Sequence, residues 1–480
     1  MPHYQKINRE TQLFVEGSLD SLLPATSVAR SIWAVLSSLD FSAYDLAYKN
    51  DDVGRPALDP RSLTAVWLLA LLRGDTAATR LASLCRRDIE YRWLLGGVTV
   101  EKSLLSDFRK DHTEALVTLG SQTLTALSAE GLLPGKQIGI DGTVVRAAAS
   151  RHANKSRKGL IKQAKRLEAV LREKLESSEA PDSALVEVLE KRLAKARESL
   201  DYMTSHGLIR DKDTVTVTEP SARLLRQKDG SYAPGYNVQA TLDLDSGAVI
   251  HAQVAEGGSD SGQLQSQVEK AEAVLKQQAP EGEATALEAV TADAAYHDVR
   301  QLAHLEERGV ACFVPEDRNA HRVPPGIAPE YRASAFVYNE ADDTLTCPQQ
   351  RVLKRYGFNA RKTSARYRAK ACDCIQCPTK ALCCPGGTRN GRQVNRTLYP
   401  ETLKTVSERV QSEEGRWMRR ARSVVCEGAM ARMQHLLHWK RCRMRGREGM
   451  EAELQWRGLA NNLMLLAGLW KPLVLERSAA

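Results

Sequence analysis

At 480 residues the chain is too long for one ordinary hydrophobic core, so two to four folded units are expected. Its 68 Lys and Arg exceed its 59 Asp and Glu, for a net charge of +9 that gathers in the last third and favours a polyanionic partner. Met1 to Phe14 lacks the apolar stretch of a secretory signal, and the longest apolar runs, Ala65 to Leu72 and Leu463 to Trp470, fall far short of a membrane span, so a soluble, cytoplasmic protein without a membrane partner is expected.

Residues 1–130 read as an all-α N-terminal domain. Leu63, Val66, Trp67, Ala70 and Leu71 recur at helical spacing after the punctuation of Pro56 and Pro60, and Ala77, Leu81 and Leu84 mark a second helix. Cys85-Arg86-Arg87-Asp88, Tyr91-Arg92-Trp93-Leu94 and Ser106-Asp107-Phe108-Arg109-Lys110 follow, with arginines expected on outer faces. Short helices of this kind suit DNA binding, with Arg86, Arg87 and Arg92 as contacts, or a plain bundle with solvated arginines.

The period changes at Gly131 to Gly135. Gln137 to Ala147 is β-branched and predicts a strand that ends by presenting Asp141 beside Gly142. Residues 155–205 read as an inserted antiparallel helical hairpin broken near Pro181, serving as a spacer or a dimerisation arm. Strands are expected at Thr214 to Thr218, at Tyr236 to Asp243 and, after the turn Asp245-Ser246-Gly247, at Ala248 to Ala255. A helix through Leu264, Val268, Ala271 and Leu275 precedes a strand at Ala289 to Ala292, which ends in Asp293, and another at Val310 to Val314. An antiparallel group followed by helix–strand alternation predicts an α/β core of ribonuclease-H-like topology over residues 131–315. Residues 316–400 look irregular and Cys-rich, a second insertion. Residues 401–480 return to helix, at Leu403 to Leu437 and Glu451 to Leu469 with Gly446 and Gly449 between them, and are expected to complete the core.

Phosphodiester transfer needs an activated oxygen nucleophile and a stabilised leaving oxygen, which two Mg²⁺ ions about 3.5–4 Å apart serve together. Such hard cations take carboxylate ligands. Asp141 on a first strand, Asp293 on a neighbouring fourth and Glu427 on a late, basic helix form the candidate catalytic and metal-binding set, with Arg420 and Arg422 beside phosphate. Each acid also has an ordinary role: a strand-to-turn ending, a helix cap and a surface ion-pair partner respectively.

Taken together, these stretches resemble the DDE transposases of bacterial insertion sequences, nearest the family called eleven-eighty-two within the four- and five-type group. Gly54-Arg55-Pro56 through Asp59-Pro60, Asp141-Gly142-Thr143, Pro234-Gly235-Tyr236-Asn237-Val238-Gln239, Ala292-Asp293-Ala294-Ala295-Tyr296, Arg422 to Glu427 and Leu459-Ala460-Asn461-Asn462-Leu463 carry the resemblance along nearly the whole chain. It implies a nucleoid-associated transposase that uses Mg²⁺ or Mn²⁺, binds double-stranded DNA at transposon ends and target, works as a homodimer, and holds metal with Asp141, Asp293 and Glu427. The wider group has Tyr, Arg, Glu and Lys at fixed helical spacing where this chain has Arg420, Ser423, Glu427 and Gln434; Arg422 and Lys440 are the nearby cations that would replace the lost charges. The alternative is a domesticated or decayed copy that binds DNA without catalysis.

Ten cysteines, six of them from Cys347 to Cys384, suit reduced thiols or metal ligands better than disulfides. The Cys374-Ile375-Gln376-Cys377 spacing allows a structural Zn²⁺ held by Cys347, Cys374, Cys377 and Cys383.

Overall fold

A computed structural model describes residues 17–45, 57–176, 183–278, 286–316, 326–359, 363–385, 390–437, 439 and 441–470. Gly54-Arg55-Pro56, the break around Pro181 and Lys440 lie outside the described residues. The chain divides into two units, one holding the described residues up to Leu127 together with those from Ala431 to 470, the other Ser128–Met430.

The first unit is helical. Its central helix, Pro60–Arg73, starts where the Asp59 carboxylate accepts from the Arg61 amide at 2.8 Å and stops at Gly74, whose φ of 76° a side chain would resist. Leu63 through Leu71 are all buried, so the helix is enclosed rather than amphipathic. The Trp67 indole donates to the Leu105 carbonyl at 3.0 Å and leans on Trp456. Trp456 belongs to the helix Gly446–Leu466, so this C-terminal helix is interior to the first unit and does not complete the α/β core as expected. The reason is chemical as well as apolar. Its buried Glu453 meets Arg109 at 3.3 Å and Arg457 at 3.1 Å and accepts from the amides of Arg443 and Met444. Arg109 is therefore a core residue, not an outer-face cation. Gly446 and Gly449 lie within the helix, not in a connection.

The second unit is built on a six-stranded sheet. Its strands are β1 (Gln137–Arg146), then, after a two-stranded ribbon of β2 (Asn154–Ser156) and β3 (Thr214–Thr216), β4 (Arg223–Arg226), β5 (Tyr232–Asp243), β6 (Val249–Val254), β7 (Ala289–Thr291) and β8 (Ala311–Phe313). The order is β4-β5-β1-β7-β8, with β6 beside the later half of β5; β1 is antiparallel to β5 and parallel to β7. Between β2 and β3 stand the helices Arg157–Glu176 and Ser183–Ser205, which pack Leu160 and Ala164 against Leu193, Ala196 and Met203 as the hairpin pattern requires. The expected single helix from Leu403 to Leu437 is divided: Pro400–Gln411 ends at Ser412, whose hydroxyl then caps Glu413–Arg422.

The described residues between 326 and 397 are not irregular. β9 (Val337–Asn339), β10 (Thr344–Thr346), β11 (Val352–Asn359), β12 (Ser364–Ala369) and β13 (Gln393–Thr397) make an antiparallel sheet in the order β13-β12-β11-β10-β9. Its apolar face gathers Phe336, Leu345, Leu353, Tyr367 and Val394, with Cys347, Cys374 and Cys383 packed against them.

Candidate active site

β1 continues for five residues past Asp141, so this acid stands in the middle of the central strand rather than at its end. Thr143, Val144 and Val145 keep the chain extended and paired with β5 through Arg146. Two glycines flank the acid for steric reasons. A Cβ at Gly139 would overlap the Cys426 Sγ, and one at Gly142 would lie 2.6 Å from Gln239 Nε2, 2.8 Å from Asp260 Oδ1 and 2.9 Å from Tyr296 Oη. Gly139 thus lets the segment bearing Glu427 close onto β1, and Gly142 makes room for a polar cluster.

Asp293 follows β7 and caps the short helix Ala294–Tyr296, its carboxylate accepting from the Ala295 amide at 2.8 Å. Glu427 ends a π-helical turn, Ser423–Glu427, that interrupts the late helix directly after Arg422. Such a turn shifts the direction of the side chains beyond it and is common at functional sites. Arg422 lies between the acids, Nη1 3.7 Å from Asp141 Oδ1 and Nη2 3.2 Å from Glu427 Oε1. Burial pushes the Asp141 carboxyl up to about 6; Arg422 and the Gly142 amide oppose that rise, and the charges of Asp293 and Glu427 add to it.

β5 supplies the residues that sequence reading missed. Asn237, Gln239, Thr241 and Asp243 are buried although polar. Gln239 Nε2 donates to Asp260 Oδ1 at 2.7 Å and to Asn237 Oδ1 at 3.0 Å, Asn237 Nδ2 donates to the same Asp260 oxygen at 2.8 Å, and the Tyr296 hydroxyl donates to Gln239 Oε1. Tyr296 sits three positions after Asp293, and Gln239 pairs across from Gly142. One chain of hydrogen bonds therefore ties the turn of Asp293 to the strand of Asp141. The signal was legible: a strand whose polar alternate positions are all amides, hydroxyls and acids must satisfy them on a covered face.

The donor chemistry of Asp141, Asp293 and Glu427 fits hard divalent cations, and the Asp141 carboxyl is raised chiefly by burial, with the nearby charges of Asp293 and Glu427 adding to it. Among the described residues, however, no three His, Cys, Asp or Glu side chains converge at metal-ligand spacing; Arg422 is the cation on the acids here. The cysteines stand similarly. Cys347, Cys374, Cys377 and Cys383 line one hollow of about 30 Å³, and the amides of Arg351 and Arg392 point at Cys347 Sγ and Cys374 Sγ at 3.3 Å each. Burial and the neighbouring Cys384 push the Cys383 thiol up to about 12, so it is protonated in this arrangement.

Of the expected DNA contacts, Arg87, Arg92 and Arg420 are exposed and have no ion-pair partner among the described residues, while Arg86 is exposed but held by Glu101 at 2.7 Å. Arg422 is turned onto the acids instead of outward.

Comparison with family models matches residues 346–467 to a transposase DDE domain and residues 18–111 to a transposase domain. The first match includes Glu427 and the cysteines, and neither includes Asp141 or Asp293. No curated protein and no solved structure matches the chain. Among the described residues no helix is long and apolar enough to cross a membrane.

Proposed function

We propose that this chain, which carries two transposase domains, is a DNA transposase of the DDE type that binds the terminal inverted repeats of an insertion sequence, hydrolyses a phosphodiester at each end and joins the freed 3′ hydroxyl to target DNA. The observation that carries this is Asp141: a half-buried acid on the central strand, raised to about 6, and close enough to Asp293 and Glu427 to feel both charges. The strand order β6-β5-β1-β7-β8, three antiparallel strands followed by two parallel to β1, supports a ribonuclease-H-like core.

When bound, Mg²⁺ or Mn²⁺ supplies Lewis acidity at the attacking and leaving oxygens. The chain's residues prepare for it. Asp141, Asp293 and Glu427 offer carboxylate oxygens from three separate elements, and the Gln239–Tyr296 bond holds the first two in register. Arg422 neutralises the acids before substrate arrives and, once displaced, is placed to meet a phosphate. Arg87, Arg92 and Arg420 position the DNA backbone. Two ends cut together require two chains, hence a homodimer. A single structural Zn²⁺ on Cys347, Cys374, Cys377 and Cys383 is supported by their shared hollow, and metal analysis of purified protein should then find about one zinc per chain.

The test is cleavage of end-containing DNA in Mg²⁺. Asp293→Ala should abolish cutting while DNA binding stays nearly intact; retained cutting would sink the assignment. Gln434, where the wider group has Lys, favours a second reading in which the protein binds DNA without catalysis. Matched inverted repeats and a short target duplication flanking the gene would count against that reading.

A further inference from the structure

The open face of the β9–β13 sheet is unlike its apolar face. Along β12, Ala365, Tyr367 and Ala369 turn inward to the core while Arg366 and Arg368 turn outward, and Lys354 on β11 stands directly across from Arg368. Like charges directly opposite on neighbouring strands are destabilising. Among the described residues neither Lys354, Arg366 nor Arg368 has an ion-pair partner; Arg366 Nη2 donates to the Phe358 carbonyl at 3.3 Å, and the buried Nε atoms of Arg366 and Arg368 have no acceptor. An aromatic side chain stands with them, Tyr356, raised by a bulge in β11. It lies under Arg368 at 4.0 Å and donates to Gln393 Oε1 at 3.0 Å. An open hollow of about 430 Å³ lies over Lys354, Tyr356 and Arg368, with one acid, Asp373, at its rim.

A fold tolerates such a face when an anion relieves the repulsion. Alternate residues along a strand lie about 6.7 Å apart, so Arg366 and Arg368 form a row rather than a single pocket, and a row suits a polymer of phosphates better than one phosphate. We propose that this face is a second DNA-binding surface, gripping the phosphodiester backbone of duplex DNA without reading its sequence. The choice of DNA rests on the transposase reading above; the charge pattern stands without it. Tyr356 keeps the Arg368 guanidinium flat and outward, which orders one cation before contact.

The test measures binding of duplex DNA by the full chain across a salt series. Lys354→Gln/Arg368→Gln should lower affinity about tenfold at moderate salt and reduce the salt slope by about 2, one for each lost phosphate contact. Lys162→Gln/Lys165→Gln, which removes two exposed cations from the helical hairpin, should leave both unchanged. The single Lys354→Gln, at an exposed position, should reduce the slope by about 1 and keeps the test valid if the double variant folds poorly. Equal behaviour of the two double variants, or a wild-type slope in Lys354→Gln, would overturn this surface and leave the transposase reading untouched. Failure of the wild-type chain to bind duplex DNA at all would overturn both.

Discussion

Two clusters of acids and arginines, one in each unit, have opposite balances. In the helical unit one carboxylate, Glu453, meets two guanidiniums and two backbone amides, and Glu453, Arg109 and Arg457 are 0%, 5% and 2% exposed. Burial opposes its ionisation, but Arg457, Arg109 and the amides overcome that and hold it below the ordinary carboxylate range. In the sheet unit two carboxylates, Asp141 and Glu427, share one guanidinium with the charge of Asp293 nearby, and burial pushes Asp141 up to about 6. A fully buried carboxylate held by two guanidiniums and two amides ties a core together, whereas acids that outnumber their arginine, held rigid and partly open, mark a place where something of the opposite sign is to bind.

The largest effect expected is on chemistry. Asp141→Asn should lower DNA cleavage by about a thousandfold or more, with DNA affinity little changed, as read by gel assays of cutting and of binding. Next is Glu453→Gln, which leaves two buried guanidiniums short of a counter-charge and should destabilise the helical unit by about 3–5 kcal/mol. Tryptophan fluorescence in urea would follow it, since Trp439 and Trp67 lie beside Arg457 and Arg109. Because the folded Glu453 sits below its ordinary value, its contribution is present above the usual carboxylate range and is lost as pH falls through the lowered one.

Asp141 has the opposite sign. Its carboxyl rises from 3.8 to about 6, so its stabilising contribution is full below 3.8 and is lost as pH rises through about 6. Asp141→Asn should therefore make the fold more stable at pH 8 by roughly 2–3 kcal/mol, and leave it unchanged at pH 4; denaturation at the two pH values checks this. An inactive variant more stable than the parent would show that this site is held at the expense of stability. The smallest effect belongs to Tyr296→Phe. Losing the bond to Gln239 leaves a buried amide oxygen unsatisfied, which should weaken stability by about 1–2 kcal/mol, and slow cleavage without altering DNA binding.

Much of this frame was legible from residue pattern. β1, the β5–β6 hairpin and β7 are β-branched or alternating runs between turn residues, and both the hairpin insertion and Pro60–Arg73 carry helical spacing. Three features were not read, for separate reasons. The mid-strand place of Asp141 was hidden because Gly142 looks like a turn residue, whereas here it is the gap that admits Gln239, Asp260 and Tyr296. The five-stranded sheet was hidden because β9 and β10 are three residues each, though Ala365-Arg366-Tyr367-Arg368-Ala369 does alternate with a strand's period. The place of Gly446–Leu466 depended on a pairing between Arg109 and Glu453 that no local pattern announces. Within the site, sequence proposed the three acids; the shared arginine and the hydrogen-bond chain that links two of them depend on contacts across the sheet.

The central claim is that Asp141, Asp293 and Glu427 together hold catalytic cations, and counting them tests it most directly. Mn²⁺ bound per chain, measured by electron paramagnetic resonance at pH 8 with end-containing DNA present, should approach about two in the wild-type protein, and fall to one or none in Asp141→Asn. The same Mn²⁺ count in both proteins would contradict the account.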